Sequence, residues 1–189
     1  YGNLVTDATD EVTVALGTDP TGGTATLSGT VSQNATGGIA TFADLGLDEA
    51  ATGYTLSASA SGLSGQESTT FDVTTGSAST LAINGGDGQS GTVTSTLPDG
   101  LEVTVTDANG NPVSGQTVDF SITSTPSGAS GQSLSSTSAT TDANGVASVD
   151  LTLGDVAGTY EVTASSSGLS DVAFSETAMG PYGAASEPI

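Results

Sequence analysis

The stretch "TDANGVASVDLTLGDVAGTYEVTAS" (141–165) decides the fold. It opens on Asn144-Gly145, a dipeptide that accepts positive φ and fits a tight turn between antiparallel strands. It then crosses a polar turn, "LGDVAGTY" (153–160), into a run that alternates Tyr160 and Val162 with polar neighbours. Alternation with period two, rich in Thr and Val, is the signature of a strand with one buried face.

The same stretch occurs twice. "GTYEVTASSSGLS" (158–170) lines up with "TGYTLSASASGLS" (52–64), so that Tyr160 matches Tyr54 and Leu169 matches Leu63. "NGVASV" (144–149) matches "GGIATF" (37–42), and Gly110-Asn111 matches Gly2-Asn3. The spacings, 106 to 108 residues, keep one order along the chain. Such a period suits a duplicated β-sandwich of ~100 residues and is too long for one turn of a solenoid.

The intervening pieces read as strands as well. In "LEVTVTD" (101–107), Leu101, Val103 and Val105 point one way and Glu102, Thr104 and Thr106 the other. "TVDFSI" (117–122) puts Val118, Phe120 and Ile122 on one face, and "EVTVAL" (11–16) does the same with Val12, Val14 and Leu16. "TLAIN" (80–84) supplies a further strand. No segment holds a helical period over three turns, and turns such as "TGG" (21–23), "PDG" (98–100) and "ANGN" (108–111) punctuate the chain. The expected core of the second copy is Leu101, Val103, Val105, Val118, Phe120, Ile122, Val149, Tyr160 and Val162. Tyr54 and Tyr160 each follow a polar turn, the place of the corner tyrosine of immunoglobulin-like sandwiches, whose hydroxyl bonds back to the backbone upstream.

"TDANGNPVSGQTVDFSI" (106–122), followed by the opening stretch, resembles the bacterial Ig-like domains of the invasin and intimin group. The likeness rests on an Asp-x-x-Gly-Asn-Pro-Val turn, a Thr-Asp-x-x-Gly-x-Ala turn and a Gly-Thr-Tyr-x-Val-Thr-Ala strand. The first copy departs from this pattern at Leu4, where Pro is usual, and lacks the Asp ahead of its first turn. The resemblance implies spacer or adhesive modules on cell surfaces, in tandem arrays; fold alone assigns no site.

Composition narrows the chemistry. The 189 residues hold no Lys, Arg, His or Cys against 21 Asp and Glu, a formal charge of −21, yet only 11% are charged. The acidic count is ordinary; the basic residues are what is missing, which separates the chain from a charged disordered tail. Nothing basic can meet a nucleic-acid backbone or an anionic membrane surface. No apolar run reaches the 18 residues of a membrane span. Without Lys there are no Lys–Asn cross-links and no trypsin-type cleavage sites.

Catalysis needs an acid–base pair or an activated nucleophile. The neighbouring carboxylates Asp10–Glu11 and Asp48–Glu49 read as solvated turn charges, since adjacent strand residues face opposite ways. "GGDGQSG" (85–91) has no Lys and no following helix, so it is no phosphate loop. No enzyme activity and no catalytic or cofactor-binding residue is expected. Calcium is the one cofactor with candidate ligands: Asp107, Asn109 and Asn111 in one turn, Asp142 and Asn144 in another. The same residues are ordinary turn formers. Asn34, in "NAT" (34–36), is a candidate glycosylation site in a polar turn.

The reading is all-β: two tandem immunoglobulin-like antiparallel β-sandwiches. Residues 1–75 form the first, without its opening strands; 76–178 form a complete second; 179–189 form a linker or tail leading into a neighbouring unit. Tyr1 aligns with Asn109, so the first copy has no equivalent of Ser77 to Ala108. A sandwich short of two strands exposes apolar surface and unpaired edges that invite strand addition. The expected role is a structural block of an extracellular bacterial or archaeal fibre, stalk or surface layer, at the cell surface, joined head-to-tail to further copies or adjacent repeats. An adhesin module binding a glycan and an accessory module of a secreted enzyme are the alternatives. With like charges on every side, carboxylate pKa values are expected to tend upward, and stability to rise with falling pH, added salt or divalent cations.

Overall fold

The computed structural model describes residues 3–180, and the expectation for the tail therefore lies, beyond Gly180, outside the described residues. Among them there is no helix, and the chain divides into two compact units, Tyr1–Thr75 and Gly76–Ile189.

The first unit contains β1 (Glu11–Leu16), β2 (Leu27–Ser28), β3 (Ser32–Asn34), β4 (Gly46–Leu47), β5 (Ala51–Tyr54), β6 (Leu56–Ala60), β7 (Gln66–Glu67) and β8 (Phe71–Val73). The second contains β9 (Thr80–Gly85), β10 (Ser90–Thr92), β11 (Leu101–Thr106), β12 (Thr117–Ser124), β13 (Ser133–Leu134), β14 (Ser138–Thr140), β15 (Val146–Val149), β16 (Leu151–Thr152), β17 (Gly158–Ser165) and β18 (Val172–Met179).

In the second unit, two sheets enclose one core. One sheet has the order β10-β18-β17-β12-β14, the other β15-β11-β9, and β13-β16 forms a short ribbon. Alternation sets the faces: β11 reads buried at Leu101, Val103 and Val105 and half-buried between them. Val118, Phe120, Val162 and Phe174 from the larger sheet meet Val149, Leu151 and Leu153 in the same cluster. Burying each such side chain stabilises the fold by roughly 1.5–3 kcal/mol relative to exposure. Ile122 departs from its expected place. It is only half-buried, because the β12–β17 register shifts between Ile122 and Ser124 and the strand end turns away from the core. The opening strand changes sheets: β9 pairs with β11, the chain turns through residues 86–89, and β10 pairs in parallel with β18 of the other sheet.

The first unit repeats this plan in part. Its sheet β3-β1-β6-β7 corresponds to β14-β12-β17-β18, and its ribbon β2-β4 to β13-β16. Two differences follow from sequence. The long hairpin β17–β18 is broken into two short pairings, β5–β8 and β6–β7. The break falls at Thr55, whose hydroxyl accepts from the Thr18 N–H at 2.6 Å, while Ser68 stands opposite Leu56 where Phe174 stands opposite Val162. Secondly, 39–42, the counterpart of β15, forms no ladder beyond a bridge from Thr36 to Ile39. In the second unit that strand pairs with β11; no described residue of the first unit takes the place of β11 or β9. Val12 consequently stays half-buried where its counterpart Val118 is fully buried, Leu16 is half-buried as Ile122 is, and of the three apolar positions of β1 only Val14 is buried.

Candidate functional site

Both corner tyrosines are fully buried and aim at backbone. The Tyr54 hydroxyl donates to the Glu49 carbonyl at 2.9 Å, and the Tyr160 hydroxyl donates to the Val156 carbonyl at 2.8 Å. Each bond ties the turn before the strand to the core, and removal from water raises the pKa of Tyr54. The Tyr54 ring stacks on Phe71 with centroids 5.9 Å apart.

The carboxylates named from the sequence serve as turn anchors. Asp107 is buried; one oxygen accepts from the Gly76 N–H, the other from the N–H groups of Asn109 and Asn111, and the Asn111 amide adds further bonds. The Gly76 N–H foremost, then Asn111 and Asn109, hold its pKa down at about 2. Asp142 accepts from Val146 N–H and Asn144 N–H at 2.9 and 2.8 Å, and these bonds lower its pKa. Asn109 and Asn144 thus meet Asp107 and Asp142 through their backbone N–H groups, closing two five-residue turns. No three acidic side chains among the described residues group to hold a metal ion. Asn34 is exposed, but it ends strand β3 rather than lying in a turn; Ala35 beside it is buried and donates to the Asp10 carbonyl.

At several turn aspartates the expected upward drift is reversed. Asp19, Asp44, Asp48 and Asp155 all lie below the usual range, led by bonds from the Thr21 hydroxyl, the Thr30 hydroxyl, the Thr26 N–H and the Ser130 N–H respectively. Direct hydrogen bonds to the charged form outweigh repulsion screened by water.

One carboxylate behaves oppositely. Glu176 is fully buried in β18, and burial raises its pKa, helped by the negative charge of Asp87. Its Oε2 accepts from the Gln89 N–H at 2.5 Å, while Oε1 has no partner among the described residues. The Gly-rich stretch 85–91 is what folds over it. The Gln89 side chain donates to the carbonyls of Gly86 and Asp99, the Asp99 N–H donates back, and Asp87 accepts from Ser175 N–H. That stretch therefore fastens the sheet-changing strand to β18. Sequence reading missed Glu176, though its phase was available: it stands between Phe174 and Ala178 on the inward face.

The remaining feature is an open apolar face on the first unit. Val14, Phe42, Leu45, Leu56 and Ala58, together with the polar Gln66, Glu67 and Ser68, line a cleft of about 430 Å³. Leu27, Leu47, Phe71 and Val73, again with Leu45 and Leu56, line an adjoining one of about 260 Å³. By repeat register the first five correspond to Phe120, Val149, Leu151, Val162 and Ala164, all buried in the second unit.

Residues 98–178 match the family described as bacterial Ig-like domain (group 1). That stretch runs from the turn before β11 to near the end of β18, and it contains the three motifs on which the resemblance rests. No curated protein matches the chain. Among solved structures, the Escherichia coli adhesin FdeC is 21% identical with a TM-score of 0.50, over 94% of this chain and 55% of that one. The D0-D1 domain of intimin is 25% identical with a TM-score of 0.36, over 90% and 83%. Domains 4-9 of the surface layer protein SbsC are 15% identical with a TM-score of 0.41, over 95% and 23%. The chain thus spans most of the intimin fragment, about half of FdeC and under a quarter of the SbsC fragment. Among the described residues no helix is long and apolar enough to cross a membrane.

Proposed function

We propose that the chain is a non-enzymatic structural block of an extracellular fibre, stalk or surface layer, joined head-to-tail to further copies or adjacent repeats. The observation that carries this reading is the pairing, in one chain, of a unit with a closed core and a duplicate whose equivalent face is open. An uncovered face on one unit and a covered one on its repeat suit a heterologous contact that continues from unit to unit. The polar groups that could do chemistry are spent on structure: the corner hydroxyls on carbonyls, the aspartates on turn N–H groups. FdeC, named as an adhesin, supports the reading only by likeness of fold.

Antibody raised against the second unit should label intact source cells or the material they shed, and the chain should show no selective binding on a glycan array. Label confined to the cell interior would sink the surface role. Selective, saturable glycan binding at micromolar concentration would favour the adhesin alternative, and co-purification inside a larger hydrolase the accessory one.

A further inference from the structure

The open face of the first unit has a template for its occupant in the second. There the strand β15 is covered by β11, in the register Leu101 to Val149 and Val103 to Ala147. β11 is flanked in turn by β9. Leu101, Val103 and Val105 are fully buried on one side of β11, against the residues that correspond to Val14, Phe42 and Leu56. In the first unit Phe42 and Leu45 are half-buried, Ile39 is 56% exposed, and the backbone of 40–45 has no ladder partner. Gly38 and Gly145 have positive φ, and each is approached so closely by backbone that a Cβ would collide, with Val5 at Gly38 and with Val105 at Gly145. The turn that aims this strand is therefore kept and backed by chain in both units, while the ladder that β11 supplies along the strand is present only in the second.

We propose that the face lined by Val14, Phe42, Leu45 and Leu56 is an acceptor for a two-stranded segment of the β9–β11 type. Its inner strand runs antiparallel to 38–42, and its alternate aliphatic side chains fill the cleft. The occupant is the opening strand pair of an Ig-like repeat, with the apolar-polar alternation of "LEVTVT" (101–106), and it enters ahead of Leu4 in the order the second unit uses. The inner strand pairs with the backbone of 39–42 as β11 pairs with Val146–Val149, and its apolar side chains take the places that Leu101, Val103 and Val105 occupy in the second unit. This deepens the head-to-tail reading by giving the contact its chemistry, and it rests on that reading for its setting.

The test is a fusion of residues 77–108 directly before Tyr1 of the full chain, compared with the unfused chain by hydrogen exchange. Amides of 39–45 should slow by at least about tenfold, and the first unit should melt higher. A control fusion exchanging Leu101, Val103 and Val105 with Glu102, Thr104 and Thr106 within the added segment should give neither effect. Amides of Val103 and Val162 in the second unit report that the chain itself is folded. A free peptide of residues 77–106 added in trans gives a second reading, with saturable protection of the same amides. Unchanged exchange at 39–45 in both formats would overturn the proposal. So would equal protection by the control, or dimerisation of the unfused chain that protects 39–45 and persists in the fusion, which would make a second copy the occupant. Cell-surface labelling does not depend on any of these outcomes, so the two readings fail separately.

Discussion

Val14 in the first unit and Phe120 in the second hold the same place on the same strand, and each is buried, yet they live in different surroundings. Around Phe120 lie Val118, Val149, Val162 and Phe174, closed in by β11. Around Val14 the equivalents are Phe42, Leu45 and Leu56, half-buried beside an open cleft. The difference teaches that strand pattern and turn chemistry suffice to lay out a sheet, whereas burial needs the opposite sheet. It also shows how a duplicated sequence reaches two levels of order: the ladder β17–β18 is continuous, and its counterpart is broken at Thr55 and Ser68.

The comparison breaks first, and by most, under core truncation. Phe120→Ala should cost the second unit about 3–5 kcal/mol, through lost burial and the cavity left behind. Phe42→Ala should cost the first unit under about 1 kcal/mol, since its ring is only partly removed from water. Denaturant titration followed by unit-resolved hydrogen exchange measures both. Equal losses would mean that the first unit is as well packed as the second.

The two unusual carboxylates should give the second unit opposite pH limits. Asp107 has a depressed folded pKa, about 2 against the ordinary 3.8, so its contribution is present above about pH 4 and disappears as pH falls toward 2. Glu176 has a raised folded pKa, so its contribution is present below the ordinary glutamate value of 4.5 and is lost as pH rises through the folded value. Asp107→Asn should lower the neutral-pH Tm of the second unit by roughly 5–10 °C and flatten its acid limb. Glu176→Gln should flatten the limb above pH 4.5 and leave the acid limb as it was. A Glu176→Gln profile parallel to that of the parent over pH 4.5–8 would show that the buried carboxyl does not titrate there. The first unit has no counterpart of Glu176 among its described positions and should show no limb above pH 4.5, while the lowered carboxyls of Asp19, Asp44 and Asp48 should leave it a shallower acid limb.

Salt should act on both units and more weakly. With no cationic side chain in the chain, raising ionic strength from about 10 mM to about 0.5 M should lift both melting temperatures by a few degrees. Calcium should produce the smallest effect. The Asp107 and Asp142 oxygens already accept N–H groups, so calcium and magnesium at equal ionic strength should shift the second unit alike. A calcium-specific rise, lost in Asp142→Asn, would instead make that turn a calcium site.

Much of the fold was legible because its signals are local. The alternation of Leu101, Val103 and Val105 reads directly as the buried face of β11. The Asp-x-Asn-Gly runs read as turns, and they are turns. Ile122 misled because alternation cannot see a register shift at a strand end. The carboxylates misled because counting charges says nothing about which N–H groups point at them. Asn34 was placed in a turn because a polar run looks alike whether it ends a strand or leaves one.

The sequence by itself determined the strands, the turns, the duplication and the corner tyrosines, since each depends on residues within one turn or strand of one another. Only the tertiary structure decided the rest. Glu176 meets the Gln89 N–H across 87 residues of chain, and that meeting, together with burial, places a lone carboxyl in the core. Residues 39–42 carry the strand pattern of β15 yet form no ladder, because a strand is completed by the neighbour that accepts its hydrogen bonds. Whether that neighbour stands beside it is a property of the assembled sheets and not of the residues that wait for it.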